Sequence, residues 1–409
     1  MKSKNTKRNN SSKKTQTLLN KKTKRPKKES TSEKEKKEIV KEQIVQTTIT
    51  KDLSIKMKST NKKYELVKCL INDLDFVTFI LFQSVNKKSY IVYIKVNKGY
   101  DSLHNYQEKK MISCYDIINE QITFVIKNPH SDDIEDIRHI FDKKNKRDLI
   151  ISISPTTIKI WNFKDMQVLY VINKQYQDKN FSNIINIINN DDYIHINEAI
   201  SGSNIITYNI DGQKIGTIKN NQEIFNIESY IDYKTKKSYM IVNYNDCLVS
   251  FDHDKNKQYV KYCHDTYNER FKIIIKEDGD NIKLIGLGCN YPFIIIWDFH
   301  SGKKLCDIYL KEKIKSNFIL GIDNSFLWDN NYLCLCFTRS HKFKLLECSL
   351  KLFDLKKYVI CEDVMFINER NIWKIERFEH PLYGDCLITQ YSGVNIEIWK
   401  IKDGKDSHL

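Results

Sequence analysis

Four short arrangements in the chain are of types that can do chemistry. Cys334-x-Cys336 places two thiols on one face of a strand, where they could share a metal or a redox role. His195-x-x-Glu198 pairs two metal-ligand types. In a strand pattern, however, an offset of three sends the two side chains to opposite faces. Gly286-x-Gly288 is a two-glycine fragment of a phosphate-cradling turn, without the third glycine of a dinucleotide loop. Lys21–Lys28 (KKTKRPKK) is a dense basic octamer of the kind that grips phosphate or serves nuclear import.

None of these grows into a catalytic constellation. There is no Gly-x-Ser-x-Gly elbow, no Walker loop and no His-Glu-x-x-His pair, and the ten histidines are dispersed without ligand spacing. Eleven cysteines are scattered singly through strand-like stretches with no CxxC, which reads as reduced thiols in a cytoplasmic or nuclear compartment. The expectation is a non-enzyme with no cofactor and no metal.

The elements that would position any functional residue follow one repeated stretch. Ile158–Phe163 (IKIWNF) is an apolar strand ending in an aromatic, then Asp or Asn, then a polar turn and a second strand. It returns as Phe293–Gly302 (FIIIWDFHSG) and Ile396–Gly404 (IEIWKIKDG), and more weakly around Tyr115, Tyr208, Phe251 and Phe353. From Tyr115 through Trp161, Tyr208, Phe251, Trp297 and Phe353 to Trp399, the spacings are 46, 47, 43, 46, 56 and 46 residues. Seven units with a period near ~40–45 residues, each able to supply four strands, mark a β-propeller.

The residues IWNF, IWDFHSG, FDLKK and IWK resemble the WD-repeat family over about Tyr64 to Asp403, although only Trp297–Asp298 is literally Trp-Asp. The resemblance implies an all-β, seven-bladed propeller of four-stranded antiparallel blades (64–403), preceded by a disordered Lys-rich tail (1–60). The family staples blades with a buried Asp, His, Ser/Thr and Trp. His130, Ser152 and Trp161 match in blade two, where Pro155 stands in place of the Asp. Those residues, with Trp297 and Trp399, are expected to be structural. Tyr64–Ile71 is a surplus strand, and blade seven lacks its outer strand, so the amino-terminal strand should close the ring, as is common in the family. In blade six, KFKLLEC and SLKLFDL compete for the third strand. Taking the second leaves Thr338–Cys348 as an insertion, matched in blade one by Asn97–Lys109.

The net charge of +15 is unevenly placed. Residues 1–41 carry 16 Lys/Arg against 4 Glu, net +12, and the remainder carries 51 against 48, net +3. Nucleic-acid binding by the ring therefore cannot be argued from charge. The tail, with Lys21, Lys22, Lys24, Arg25, Lys27 and Lys28, is the candidate grip for RNA or another polyanion. No apolar run reaches the ~18–20 residues that span a bilayer, so no membrane partner is expected.

Family members bind mostly through the face bearing the loops before first and third strands. On this chain those loops hold Tyr100, His104, Tyr176, Tyr244, Arg270, Tyr291, Arg339, His341 and Arg370 as aromatic or cationic anchors. The reading is a non-catalytic scaffold or adaptor, a monomeric ring that binds other proteins within a larger assembly. Its rivals are a nuclear RNA-associated protein using the basic tail, and a ubiquitin-ligase substrate receptor.

Overall fold

The computed structural model describes residues 64–401, apart from short stretches at 73–75, 101–105, 175–183, 200–203, 266–269, 289–292, 311–317, 321–323, 342–343, 369–371 and 392–394. The 1–60 tail lies outside these residues. What is described is seven antiparallel sheets in a ring. Blade one comprises Phe76–Gln83, Ser89–Tyr100, Tyr106–Asp116 and Gln121–Lys127 from the axis outward. Blade two comprises Asp136–Asp142, Arg147–Ile153, Thr157–Asn162 and Val168–Asn173. Because neighbouring strands alternate in direction, turns between first and second and between third and fourth strands share one face of the ring. The remaining connections share the other.

The repeated stretch is the third strand of each blade, and its recurrence has a local physical cause. In every blade the pairing register of the third strand with the outer strand shifts beside the marker aromatic: at Cys114/Tyr115, Ile160/Trp161, Thr207/Tyr208, Ser250/Phe251, Ile296/Trp297 and Leu352/Phe353, and opposite Trp399 in blade seven. Such a bulge bends the strand and increases its twist, as radiating blades require. The acidic residue after the aromatic then caps the turn with its carboxylate. Asp116 accepts from the Ile118 and Asn119 amides, Asp298 from Ser301, and Asp354 from Lys356 and Lys357.

Seven apolar clusters lie between adjacent blades rather than within them. The cluster of blades two and three joins Leu149, Ile151 and Ile160 to Ile185, Ile196 and Tyr208. The cluster that closes the circle joins Phe79, Ile91 and Tyr115 of blade one to Cys386, Ile388 and Ile398 of blade seven. Side chains also tie inner strands to neighbouring backbone: Ser229 donates to the Ile187 carbonyl at 3.1 Å, and the Lys374 ammonium reaches the Phe79 carbonyl of blade one.

Tyr64–Asn72 forms the outer strand of blade seven, running from Tyr64 opposite Ile401 to Asn72 opposite Asn395. Both of its faces are used. Tyr64 packs into the cluster between blades six and seven, and Val67 and Leu70 into the one between seven and one. Blade six departs from the expectation that SLKLFDL alone is its third strand. Lys344–Asp354 is one strand spanning most of KFKLLEC as well, and it pairs with Tyr332–His341 as far as His341 opposite Lys344. Blade one does the same up to Tyr100 opposite Tyr106. Both insertions therefore carry paired β-hairpin arms, because continuous pairing satisfies backbone groups that a free loop would leave to water.

Deleting residues 1–72 exposes a long strand edge and unpacks two clusters. That variant should aggregate and lose its cooperative melt, whereas a 1–50 deletion should melt like the full chain. A soluble, cooperatively melting 73–409 chain would contradict this closure.

Candidate docking surfaces

The expected staple of blade two is present with one substitution. The Trp161 indole donates to Ser152 Oγ at 2.8 Å, Ser152 Oγ meets His130 Nε2 at 2.7 Å, and His130 Nδ1 meets Thr157 Oγ1 at 2.7 Å. Thr157 thus occupies the partner's place that Asp holds in the family pattern. Ser152 is completely buried, and the network is satisfied when Ser152 donates to Nε2 and Nδ1–H donates to Thr157. The same offset recurs in blades three and seven, where the marker reaches the second-strand residue two places past its own cross-strand partner. Tyr208 donates to Glu198 at 3.2 Å, and the Trp399 indole to Thr389 at 3.0 Å. In blade five that position is Gly286, where an added Cβ would lie 2.9 Å from the Trp297 ring. The buried Trp297 donates instead to the Cys263 carbonyl at 3.1 Å.

Of the arrangements that opened the sequence reading, the cysteine pair and Glu198 are buried, and Lys21–Lys28 lies outside the described residues. Cys334 and Cys336 are both fully buried against Ile375 and Leu387 of blade seven. His195 and Glu198 do point apart. Glu198 is fully buried near the buried Lys174, and burial raises its carboxyl pKa while lowering that of the ammonium. His195 Nδ1 lies 2.9 Å from His253 Nε2 of blade four, stacked on Tyr193, whose hydroxyl donates to Asp254. Among the described residues no three His, Cys, Asp or Glu side chains group as metal ligands.

Of the loop residues proposed as anchors, Arg270 is exposed immediately before the first strand of blade five. Tyr244 is a correction. It ends the second strand of blade four, pairs opposite Ile224, and is only 4 % exposed within the cluster between blades three and four. Its ring is core because strand pairing continues through Tyr244, which the loop reading had placed beyond the strand. The backbones of Tyr100, Arg339 and His341 lie in the two hairpin arms, and their side chains lie outside the described residues. His104, Tyr176, Tyr291, Arg370 and the basic tail residues lie outside them too.

A surface that sequence reasoning missed lies on the turn face, between blades one and two. A cavity of about 660 Å³ is lined by Ser84–Asn86, Tyr90, Thr123 and Phe124 of blade one, and by Lys146–Asp148 and Asn162–Met166 of blade two. Its inner wall is aromatic. Phe163 meets Phe82, Tyr90 and Phe124 edge-on, with centroids 5.0, 4.9 and 5.7 Å away, and Phe82 stacks on His139 at 3.8 Å. Asp148 locks the wall. It is buried, accepts from the Val85 amide of blade one at 2.9 Å, and pairs with His139 Nε2 at 2.9 Å. Phe163, the last residue of the marker stretch IKIWNF, carried the only sequence signal for this site.

The chain matches no protein-family model and no curated protein. Solved structures do match. BBS1N, in its complex with ARL6DN, is similar over 84 % of this chain and 98 % of its own, with a TM-score of 0.53 and 8 % identity. Raptor of Chaetomium thermophilum is similar over 84 % of this chain with a TM-score of 0.56 and 12 % identity. This chain spans 30 % of Raptor's length. The fold is a seven-bladed β-propeller. At such identities the likeness speaks for the fold alone, and this propeller's surfaces must be read from its own residues.

Burial makes the seam histidines acid-sensitive. It lowers the pKa of His130 to about 4, with Lys159 adding to the effect, and that of His195 to about 4, with His253 adding to it. An unfolded histidine titrates near ~6.5, so between there and about 4 the unfolded chain binds more protons. Stability is therefore complete above that range and falls as pH drops through it. Melting temperature against pH should show this decline, and His195→Phe should flatten part of it. Separately, Ser152→Ala strands the Trp161 donor and should cost on the order of 2–4 kcal/mol by denaturant titration, while Ser152→Thr should cost less.

Proposed function

We propose that the chain is a divergent WD-repeat-type propeller acting as a non-catalytic scaffold that holds other proteins in an assembly, in the cytoplasm or nucleus. The observation that supports this most is the pair of hairpin arms on blades one and six. Both rise between second and third strands, so both leave the ring on the same face, and blade seven alone separates their parent blades. Two paired ribbons present fixed side chains at lower ordering cost than free loops would. Their sequences hold Tyr100, His104, Tyr106, Arg339 and His341, residue types suited to protein interfaces. The RNA-associated alternative rests on the +12 charge of residues 1–41.

Replacing each arm by a two-residue Asn-Gly turn should leave the melting temperature near that of the full chain, since the arms lie beyond the apolar clusters. Affinity purification from the native cell, with and without nuclease, should then lose the same interactor from both variants. Unchanged interactors from two stably folded variants would refute docking at the arms. Interactors that vanish with nuclease, or with deletion of 1–41, would support the RNA reading instead.

A further inference from the structure

We propose that the groove between blades one and two binds an acidic, extended peptide segment of a partner protein, which adds as a fifth strand to Gln121–Lys127 and places one apolar side chain in the cavity. The inference concerns the turn face, not the face of the arms, and stands or falls separately from docking there.

Three observations converge. First, Gln121–Lys127 is the outer strand of blade one, and among the described residues nothing pairs with its free edge. It exposes Ile122 at 56 % and Val125 at 44 %. The sequence QITFVIK keeps a single Lys, at its end, and no Pro, so it lacks the features that usually blunt an exposed edge. Second, the cavity opens beside this strand, since Thr123 and Phe124 line it. Its aromatic wall is held rigid by Asp148, and about 660 Å³ accommodates a large side chain together with part of a peptide backbone. A segment running along the strand thus meets a backbone template and a receptacle with one aromatic wall at once, as in recognition by strand addition.

Third, the rim carries a charge that selects the partner. Lys146 and Lys164 line the cavity and are exposed; Lys144 is exposed in the same turn as Lys146, and Lys87 and Lys88 are exposed in the blade-one turn that holds Val85 and Asn86. None of the five has an ion-pair partner among the described residues. The acidic residues in the lining are already engaged or outnumbered. Asp148 is taken by Val85 and His139, and Arg147 is held by Asp142 at 3.0 Å, which leaves Asp165 as the exposed carboxylate. The ring as a whole is close to neutral, so this rim is a local excess rather than a reflection of composition. Positive potential around a receptacle with an aromatic wall favours an apolar residue flanked by Asp and Glu.

The test uses the full chain and an array of fluorescein-labelled nine-residue peptides. Each has a central Phe, Tyr, Trp, Leu or Ile, alternates Glu with Ile or Val, and has a counterpart with Lys in place of Glu. Fluorescence anisotropy should show saturable binding of an acidic peptide, at least tenfold tighter than its Lys counterpart. Binding should weaken at least tenfold when the central residue becomes Ala. Methylating alternate backbone nitrogens along one edge of the peptide should abolish binding, while methylating the other edge should spare it. Lys146→Glu with Lys164→Glu should weaken binding at least tenfold at an unchanged melting temperature. If that double variant proves unstable, the peptide-side changes alone decide. The proposal is overturned if no acidic peptide outcompetes its Lys counterpart, or if both methylation patterns are equally tolerated. It is equally overturned if a uridine-rich ten-nucleotide RNA, rather than any peptide, is the ligand lost in the double variant. Because the arm-trimmed variants keep this groove, unchanged peptide binding in them would separate failure of the arm docking from failure here.

Discussion

Apolar burial between neighbouring blades is the constraint on which this structure depends. No blade carries a core of its own. Each offers one face to the blade before it and one to the blade after it, and side chains such as Ile160, Ile196 and Leu284 are completely buried only because the blade they face is present. Burying such a side chain contributes about 1.5–3 kcal/mol, so an open ring forfeits a whole cluster at its gap. Closure is therefore a requirement of the core. Tyr64–Asn72 meets it by supplying backbone pairing to blade seven and apolar side chains to the clusters on either side.

Within that frame, the third-strand aromatic does two jobs at once. Its bulge gives the blade its bend, and its polar atom, where it has one, must find a partner inside the protein. The partners differ from blade to blade: Ser152 backed by His130 in blade two, Glu198 in blade three, a backbone carbonyl in blade five, Thr389 in blade seven. Buried donors need an acceptor but not a particular one. A chain can lose the polar staple in most blades and keep the ring, because apolar packing carries the stability.

The two faces of the ring are built differently. On the turn face, short tight connections are fixed by carboxylate caps and by residues with positive φ such as Lys146 and Met166, both of which border the groove. Asp148, pinned between the blades, makes that groove's wall part of the rigid frame. On the opposite face the hairpin arms of blades one and six extend the sheets outward.

How much of this was legible in the sequence follows from the range of the interactions involved. The marker aromatics, their spacing and the Asp or Asn that follows six of the seven are local signals, since a bulge and a capped turn involve residues a few positions apart. They determined the blade count, the position of the third strands and the surplus strand at Tyr64. The Ser152–Trp161 pair was likewise within reach, being two adjacent strands of one blade. What only the tertiary structure decided involves partners with no sequence relation. Thr157 replaces an absent Asp because the loop geometry brings it to His130. Tyr244 is core because strand pairing outran the expected loop. The groove joins Val85 to Asp148 across 63 residues, and no spacing rule links a turn of one blade to the second strand of the next. Blade identity is written in short-range periodicity, whereas the surfaces between blades are set by which side chains the closed ring brings together.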